Sequence, residues 1–196
     1  MLFRSPEVRL AGHELPGESA ATCQGLGFQV HTCALEDVPG RFDIAVLLDV
    51  AEHVPEPDRF FSACAEALKK DGHIYVHTPR RCFWDTLSLA LVKLPAIRRL
   101  AVIWLFPRVS VFHLQLWTDR ALELSLAHAG FQVLDLKAKL GLSWPIEMYT
   151  RVFLKEKFRL PSPIVSIATS LANLLFVKLG ALRNKAVCLA RKRNDA

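Results

Sequence analysis

The stretch FDIAVLLDVAEHVPEPDRFF, residues 42–61, decides the fold class. Its apolar run ends at Asp49, and Glu52 and His53 follow within about one turn, ahead of a proline-marked helix start. A continuous apolar strand is typical of a parallel sheet that is covered on both faces. Open α/β sheets bind ligands just beyond the carboxyl ends of such strands, so the sequence predicts a site at residues 49–53.

Strand and helix patterns alternate along most of the chain. Strands are predicted at residues 8–14, 28–33, 42–49, 73–79, 131–138 and 186–192, and helices at residues 18–27, 58–70, 118–130 and 164–180. This alternation predicts an α/β fold with a doubly wound, mostly parallel sheet in a single domain, residues 1–196. Residues 80–112 and 139–180 interrupt the rhythm with apolar, basic and proline-punctuated sequence, and we interpret them as a helical cap.

Charge is distributed unevenly along the 196 residues. Residues 1–79 carry 12 acidic and 6 basic side chains, whereas residues 80–196 carry 7 acidic and 19 basic ones. A half that is both basic and apolar suggests contact with an anionic membrane surface or an acidic amphiphile, although a solvated basic face is the plainer alternative. Nucleic acid is not an expected partner, because no recognition motif accompanies the basic residues.

The cysteines and the apolar segments bear on the expected location. None of the five cysteines forms a C-x-x-C pair, so we interpret them as reduced, mostly buried thiols of a cytoplasmic protein. The N-terminus lacks the apolar core of a signal peptide. The longest apolar stretch, residues 164–177, is short for a membrane span but could lie on a bilayer, peripheral to its inner face.

Four stretches together resemble the class I S-adenosylmethionine-dependent methyltransferases, most closely their small-molecule and lipid-quinone O-methyltransferase-like branch. They are GHELPGESAATCQGLGF (12–28), ALEDVPGRFDIAVLLDVAEHVPEPDRFF (34–61), LKKDGHIYVHTP (68–79) and HLQLWTDRALELSLAHAGFQV (113–133). The resemblance implies a Rossmann-like sheet. It makes residues 1–79 the cofactor-side half, with residues 113–138 and 181–196 supplying the C-terminal strands and a helix.

The same resemblance implies the binding residues for S-adenosylmethionine. Glu14 stands where the family places a ribose-binding acid, with a solvated turn acid as the alternative. Leu35 and Glu36 fall in the loop that holds the adenine, and Asp49 and Val50 should line the mouth near the sulfonium. His53, in the turn after the strand, is a further expected contact. The full set of expected cofactor contacts is Glu14, Leu35, Glu36, Asp49, Val50 and His53.

Two features concern the chemistry of the site. His113 is the candidate base, since imidazole can take a proton from an acceptor hydroxyl near neutral pH; packing beside Phe112 is the alternative. If the turn after Asp49 is helical, Asp49, Glu52 and His53 share a face and could bind Mg²⁺ or Zn²⁺. We favour local capping with a buried His–carboxylate hydrogen bond there, and we predict no metal.

The sequence departs from the family at its start. It begins where the second strand of the family should begin, and no G-x-G-x-x-G turn is present. We expect either an N-terminally truncated copy, which we favour, or a short paralogue that has lost cofactor binding. The predicted function is methyl transfer from S-adenosylmethionine to a small or lipid-like acceptor, with oxygen as the favoured accepting atom. The alternative is an inactive module that binds a membrane surface or a partner subunit; the sequence does not predict the oligomeric state.

Overall fold

The computed structural model describes residues 8–39, 41–98, 113–141, 146–151, 154–155, 159–178 and 183–193. The strands among these residues are β1 (Ala11–His13), β2 (Gln29–His31), β3 (Phe42–Leu48), β4 (Leu68–Pro79), β5 (Phe131–Lys139) and β6 (Lys185–Lys192). The helices are α1 (Glu18–Gly25), α2 (Pro57–Ala67), α3 (Phe83–Leu91), α4 (Asp119–His128), α5 (Ile146–Thr150) and α6 (Ser162–Ala172).

The strands form two sheets. Strands β1 and β2 pair in parallel, and the other four lie in the order β3-β4-β6-β5. Strand β4 is parallel to β3, whereas β6 runs antiparallel to both β4 and β5. The predicted α/β class with a mostly parallel sheet is confirmed, since β3, β4 and β5 run in one direction and β6 is reversed. Within the described part of the chain β1 and β3 do not pair with each other, so the strands form two separate sheets.

One face of the four-stranded sheet carries the hydrophobic core. Helices α2 and α4 cover this face, and their fully buried side chains include Phe61, Leu122 and Leu126. The sheet contributes Ile74 and Phe131, also fully buried. The ends of α4 follow the sequence prediction: the Thr118 hydroxyl accepts a hydrogen bond from the amide of Ala121, and Gly130 ends the helix with a φ of 82°.

The opposite face of β3 corrects a prediction from the sequence. The continuous apolar run predicts cover on both faces, but Ile44, Val46 and Leu48 are 57–60% exposed. Ala45 and Leu47, which point to the other side, pack against the core. Among the described residues no helix covers the outer face, and a hydrophobic run cannot reveal which of its two faces lacks a covering element.

Strand β4 begins earlier than the sequence predicts. Instead of continuing to the Asp71-Gly72 turn, the helix ends at Ala67, and Leu68 already pairs with Phe42. The Lys69 ammonium binds the Asp43 carboxylate at 2.9 and 3.0 Å, which holds this extended segment beside β3. Pairing with a neighbouring strand therefore overrides the helical pattern of residues 68–70.

The predicted cap is described only in part. Helix α3 lies in the first cap segment, and residues 99–112 of that segment fall outside the described residues. In the second segment α5 and α6 are present, and α6 continues into a π-helical stretch, Asn173–Lys178. Within the described part of the chain, each helix is too short or too polar to traverse a bilayer.

Candidate functional site

A buried carboxylate anchors the candidate site beyond the ends of the parallel strands β3 and β4. Glu52 lies in a 3₁₀ turn, Ala51–His53, and is fully buried. Its Oε2 accepts a hydrogen bond of 2.8 Å from the hydroxyl of Thr78, at the end of β4. Its Oε1 accepts no hydrogen bond in the described structure. A buried carboxylate oxygen without a donor is costly, so this atom is a natural partner for a cation or a proton donor.

Two imidazoles face this carboxylate. The ring centroids of His53 and His113 are 5.0 Å apart, and His53 Nε2 lies 3.9 Å from Glu52 Oε1. That distance is too long for the predicted His–carboxylate hydrogen bond. The backbone holds His113 in place, because the amides of Leu114 and Gln115 donate to the carbonyl of Glu52 at 2.9 and 3.3 Å.

The same three side chains offer a set of metal ligands. One ligand atom each from Glu52, His53 and His113 lies within 4.8 Å of the others. A carboxylate with two imidazoles suits Zn²⁺ or another borderline divalent ion. The alternative geometry considered from the sequence, with Asp49 on the same face, differs from this arrangement. The prediction that no metal binds stays a prediction.

Asp49 lies apart from these three side chains. Its backbone has a positive φ of 53°, and its amide donates to the carbonyl of His77 at 2.8 Å. Its carboxylate pairs with the Lys185 ammonium at 2.5 Å and lies 3.3 Å from Nδ1 of His77. Because Lys185 is on β6, 136 positions away, no local sequence pattern could have indicated this ion pair. Asp49 therefore enters a site at this edge as a carboxylate already paired with a cation.

The predicted adenine loop borders an open groove of about 230 Å³. Leu35 and Glu36 form one wall, and Val54, Arg59 and Phe60 contribute to the other. The Glu36 carboxylate binds Nε of Arg59 at 3.1 Å. A hydrogen bond with its own backbone, and then Arg59, lower the pKa of Glu36 below its ordinary value. The groove offers apolar walls and a carboxylate acceptor, which fit a flat aromatic base with an amino group.

The other predicted cofactor residues lie outside this groove. Glu14 follows β1, is exposed, and accepts a hydrogen bond of 2.9 Å from the amide of Leu15. Val50 precedes the 3₁₀ turn, and its carbonyl accepts a hydrogen bond of 3.0 Å from the amide of His53. The structure thus brings His53 and His113 together and places Leu35 and Glu36 on one groove. Glu14, Asp49 and Val50 stand at separate positions.

Gln115 is a residue of the site that the sequence analysis did not single out. Its Nε2 donates to the carbonyl of Ala51 at 3.0 Å and reaches the carbonyl of Val54 at 3.4 Å. The side chain therefore fixes the turn that carries Glu52 and His53. A polar residue two positions after a candidate base is a weak signal, and only the fold shows what it contacts.

The cysteines differ in burial, and burial changes the pKa of two of the thiols. All five cysteines, each of them described, are free; Cys64, Cys82 and Cys188 are buried, and Cys23 and Cys33 are exposed. Burial raises the pKa of Cys64 and of Cys188 to about 12. A thiol with such a pKa is not a nucleophile near neutral pH, so these two cysteines act as packing residues.

Comparisons with known proteins identify the relatives of this chain. A family profile described as "Methyltransferase domain" matches residues 10–136. The ubiquinone biosynthesis O-methyltransferase of Brucella anthropi is 32% identical over 111 residues, which cover 57% of this chain and 41% of that protein. Its namesake from a Chelativorans species is 36% identical over 102 residues, covering 52% and 38%. The matched segments thus span about two fifths of these relatives.

Solved structures share the fold at low sequence identity. The cyclopropane synthase MmaA2 of Mycobacterium tuberculosis is 17% identical, with a TM-score of 0.57 over 93% of this chain and 69% of that one. An S-adenosylmethionine-dependent methyltransferase of Mesorhizobium loti is 14% identical, with a TM-score of 0.53 over 93% and 79%. The chain belongs to the methyltransferase-domain family and has the Rossmann-like fold of class I S-adenosylmethionine-dependent methyltransferases.

Proposed function

We propose that this chain takes part in methyl transfer from S-adenosylmethionine to an oxygen of a small or lipid-like acceptor. The observation that carries the proposal is the meeting of His113, His53 and the buried Glu52 beyond the parallel strand ends. This is the edge at which open α/β sheets place their ligands. The names of the ubiquinone O-methyltransferase relatives support oxygen as the accepting atom.

The residues present fit the cofactor in part. The groove at Leu35 and Glu36 can hold the adenine, and the exposed carboxylate of Glu14 can accept hydrogen bonds from a ribose diol. The sequence contains no glycine-rich turn to approach the methionine end. The affinity of the remaining residues for S-adenosylmethionine is therefore the first quantity to measure.

When bound, S-adenosylmethionine supplies an electrophilic methyl group on a positively charged sulfur. His113 would take the proton of the acceptor hydroxyl as that oxygen bonds to the methyl carbon and the carbon–sulfur bond breaks. The carboxylate of Glu52 would stabilise the positive charge that the two imidazoles then share. Holding the acceptor in line with the methyl group would supply most of the rate enhancement.

Cofactor binding is the first experiment. Calorimetric titration of the 196-residue chain with S-adenosylmethionine and its demethylated product should give a dissociation constant in the micromolar range. Leu35→Asp should weaken binding at least about tenfold, because it places a charge on the apolar wall of the groove. Leu26→Asp, at an exposed leucine outside the groove, is the matched control. A folded chain that binds neither compound would contradict the proposal and favour the inactive module.

The role of His113 is tested by activity on a phenolic acceptor. His113→Asn should lower kcat by about 10²–10⁴, the usual contribution of a general base, and leave cofactor affinity nearly unchanged. His128→Asn, at an exposed histidine on α4, should leave kcat unchanged. Equal rates in the two variants would remove His113 from the mechanism. Repeating the assay with a chelator separates a base from a metal ligand, since only the latter requires the ion.

We also propose a lipid-like acceptor and a cytoplasmic location with peripheral contact at the inner face of the membrane. The uneven charge supports both, because residues 80–196 combine 19 basic side chains with long apolar segments. Acceptor chemistry is tested by comparing kcat/KM for a phenol with and without an alkyl tail. A preference for the tail supports the lipid-like acceptor, and equal values would contradict it. The single-domain organisation of residues 1–196 remains a prediction.

A further inference from the structure

Helix α6 exposes its apolar side to solvent, which is unusual for a helix on the surface of a globular protein. Its large apolar side chains point outward: Ile164, Ile167 and Leu171 on the helix and Leu174 and Leu175 on the π-helical continuation are 42–63% exposed. On the inner side Val165 is, among the described residues, the one large apolar side chain that is buried, and the half-buried side chains are small or polar: Ala168, Thr169, Ala172 and Asn173. A helix that packs on a globular core normally shows the reverse distribution.

Hydrogen bonds on the inner side fix this orientation. The hydroxyls of Thr169 and Thr150 lie 2.7 Å apart, and Thr169 Oγ1 donates to the carbonyl of Val165 at 2.8 Å. The Asn173 amide donates to the Glu147 carboxylate at 2.6 Å. This hydrogen bond lowers the pKa of Glu147. Rotating α6 to bury its apolar stripe would break these contacts with α5, so the outward stripe is a stable feature of the fold.

The sequence on either side of the stripe is basic. Residues 151–185 contain seven lysines and arginines and one acid, and α6 itself carries no charge. Arg159 precedes the helix and Lys178 ends its continuation, and both are exposed. The pattern is an uncharged apolar stripe with cations at its two ends, which suits a surface that is apolar inside and anionic at its boundary.

We infer that α6 with its continuation, residues 162–178, is the element by which this protein docks onto an anionic lipid bilayer. The apolar stripe enters the acyl boundary while Arg159 and Lys178 remain at the head groups. A second copy of the chain is a poorer occupant, because it would bring an equally basic surface against this one. The inference rests on the membrane contact proposed above and not on methyl transfer, since an inactive protein with this surface would dock in the same way.

Flotation of the purified 196-residue chain with vesicles tests the inference. The protein should float with phosphatidylcholine vesicles that contain about one third phosphatidylglycerol, and binding should fall as salt screens the charges. It should not float with pure phosphatidylcholine. Absence of binding to the anionic vesicles, or equal binding to both, would overturn the inference.

Substitutions locate the docking surface. Ile167→Ser with Leu171→Ser should weaken binding at least about tenfold, because two large side chains no longer enter the bilayer. The matched control is Leu124→Ser with Leu134→Ser, at two leucines of comparable exposure on α4 and β5. Lys178→Gln should weaken binding about fivefold, and Arg120→Gln, on the exposed side of α4, should not. Equal losses in the stripe and control variants would overturn the assignment.

Sedimentation equilibrium decides between the bilayer and a second copy. A monomer in solution that floats with anionic vesicles supports the docking surface. A dimer that the Ile167→Ser/Leu171→Ser variant abolishes would overturn the inference, because the stripe would then be covered by its own copy. All substituted side chains are exposed, and matching thermal unfolding curves confirm that the variants remain folded.

Discussion

The two sheets of this protein differ sharply in how firmly they are held. In the β1–β2 unit, Ala20 and Val38 are the only described residues from position 8 to position 39 that are buried. The four-stranded sheet instead packs fully buried side chains such as Phe61, Ile74 and Phe131 against α2 and α4. The difference teaches that the candidate chemistry stands on the densely packed unit, whereas Glu14 lies in the thinly packed one; the predicted adenine loop packs against the main core through Leu35.

The largest difference in the free energy of unfolding is expected from removing one aromatic ring in each of the two sheet units. Phe131→Ala, at a fully buried site, should lower the free energy of unfolding by about 3–5 kcal/mol through lost burial and a cavity. Phe28→Ala, at a side chain that is 47% exposed next to β2, should cost less than about 1 kcal/mol. Urea denaturation measures both, and equal losses would refute the difference in packing.

A smaller contrast concerns hydrogen bonds. Thr78→Val leaves Glu52 Oε2 buried without its donor and should cost about 1–3 kcal/mol, while Thr78→Ser keeps the hydroxyl and should cost less. In the small sheet His13 Nε2 contacts the carbonyl of Cys33 at 2.9 Å in an exposed position, so His13→Ala should change stability by no more than about 0.5 kcal/mol. Denaturation that ranks His13→Ala above Thr78→Val would contradict this comparison.

The stability contributions of ion pairs in the two units should differ by a still smaller amount. Arg80 binds Asp119 through two nitrogens, at 2.5 and 2.7 Å, in a partly buried position, and the hydrogen bond with Asp119 raises the pKa of Arg80. Arg80→Ala should cost about 1–2 kcal/mol. Arg59 pairs with Glu36 of the small unit but is largely exposed, so Arg59→Ala should cost no more than about 0.5 kcal/mol. Repeating the denaturation in high salt should reduce only the Arg59 effect.

The smallest expected effect is the pH dependence of Glu36. Its pKa is lowered in the folded chain, so its contribution to stability is fully present above its ordinary value of 4.5 and is lost as pH falls through the lowered pKa. Titration of the Glu36 carboxyl by NMR should show a midpoint below 4.5 that moves upward in Arg59→Ala. A midpoint at or above the ordinary value would contradict this assignment.

The sequence predicted elements where one local signal was strong. Helix α4 begins after Thr118 and ends before Gly130, as expected, because a cap and a left-handed glycine act within a single turn. The apolar run of β3 was also found, but the exposure of Ile44, Val46 and Leu48 was not. Which face of a strand lacks a covering helix depends on elements distant in sequence, and no periodicity encodes it.

The candidate site shows the same division. The sequence indicated Glu52 and His53 as a group with Asp49, and it indicated His113 separately. The structure joins them to His113, which lies 60 positions beyond His53, and pairs Asp49 with Lys185. Pairings across such separations are set by strand order in the sheet, and a single sequence carries no record of that order.

Two properties of this protein were thus determined by the sequence alone: its α/β class, through the alternation of apolar periods, and its family, through short motifs that keep their spacing. Only the tertiary structure decided which charges meet, that Glu52 is buried beside two imidazoles, and that the apolar stripe of α6 points outward. The physical reason is that periodicity and capping act over a few residues, whereas burial and ion pairing depend on which distant segments pack together.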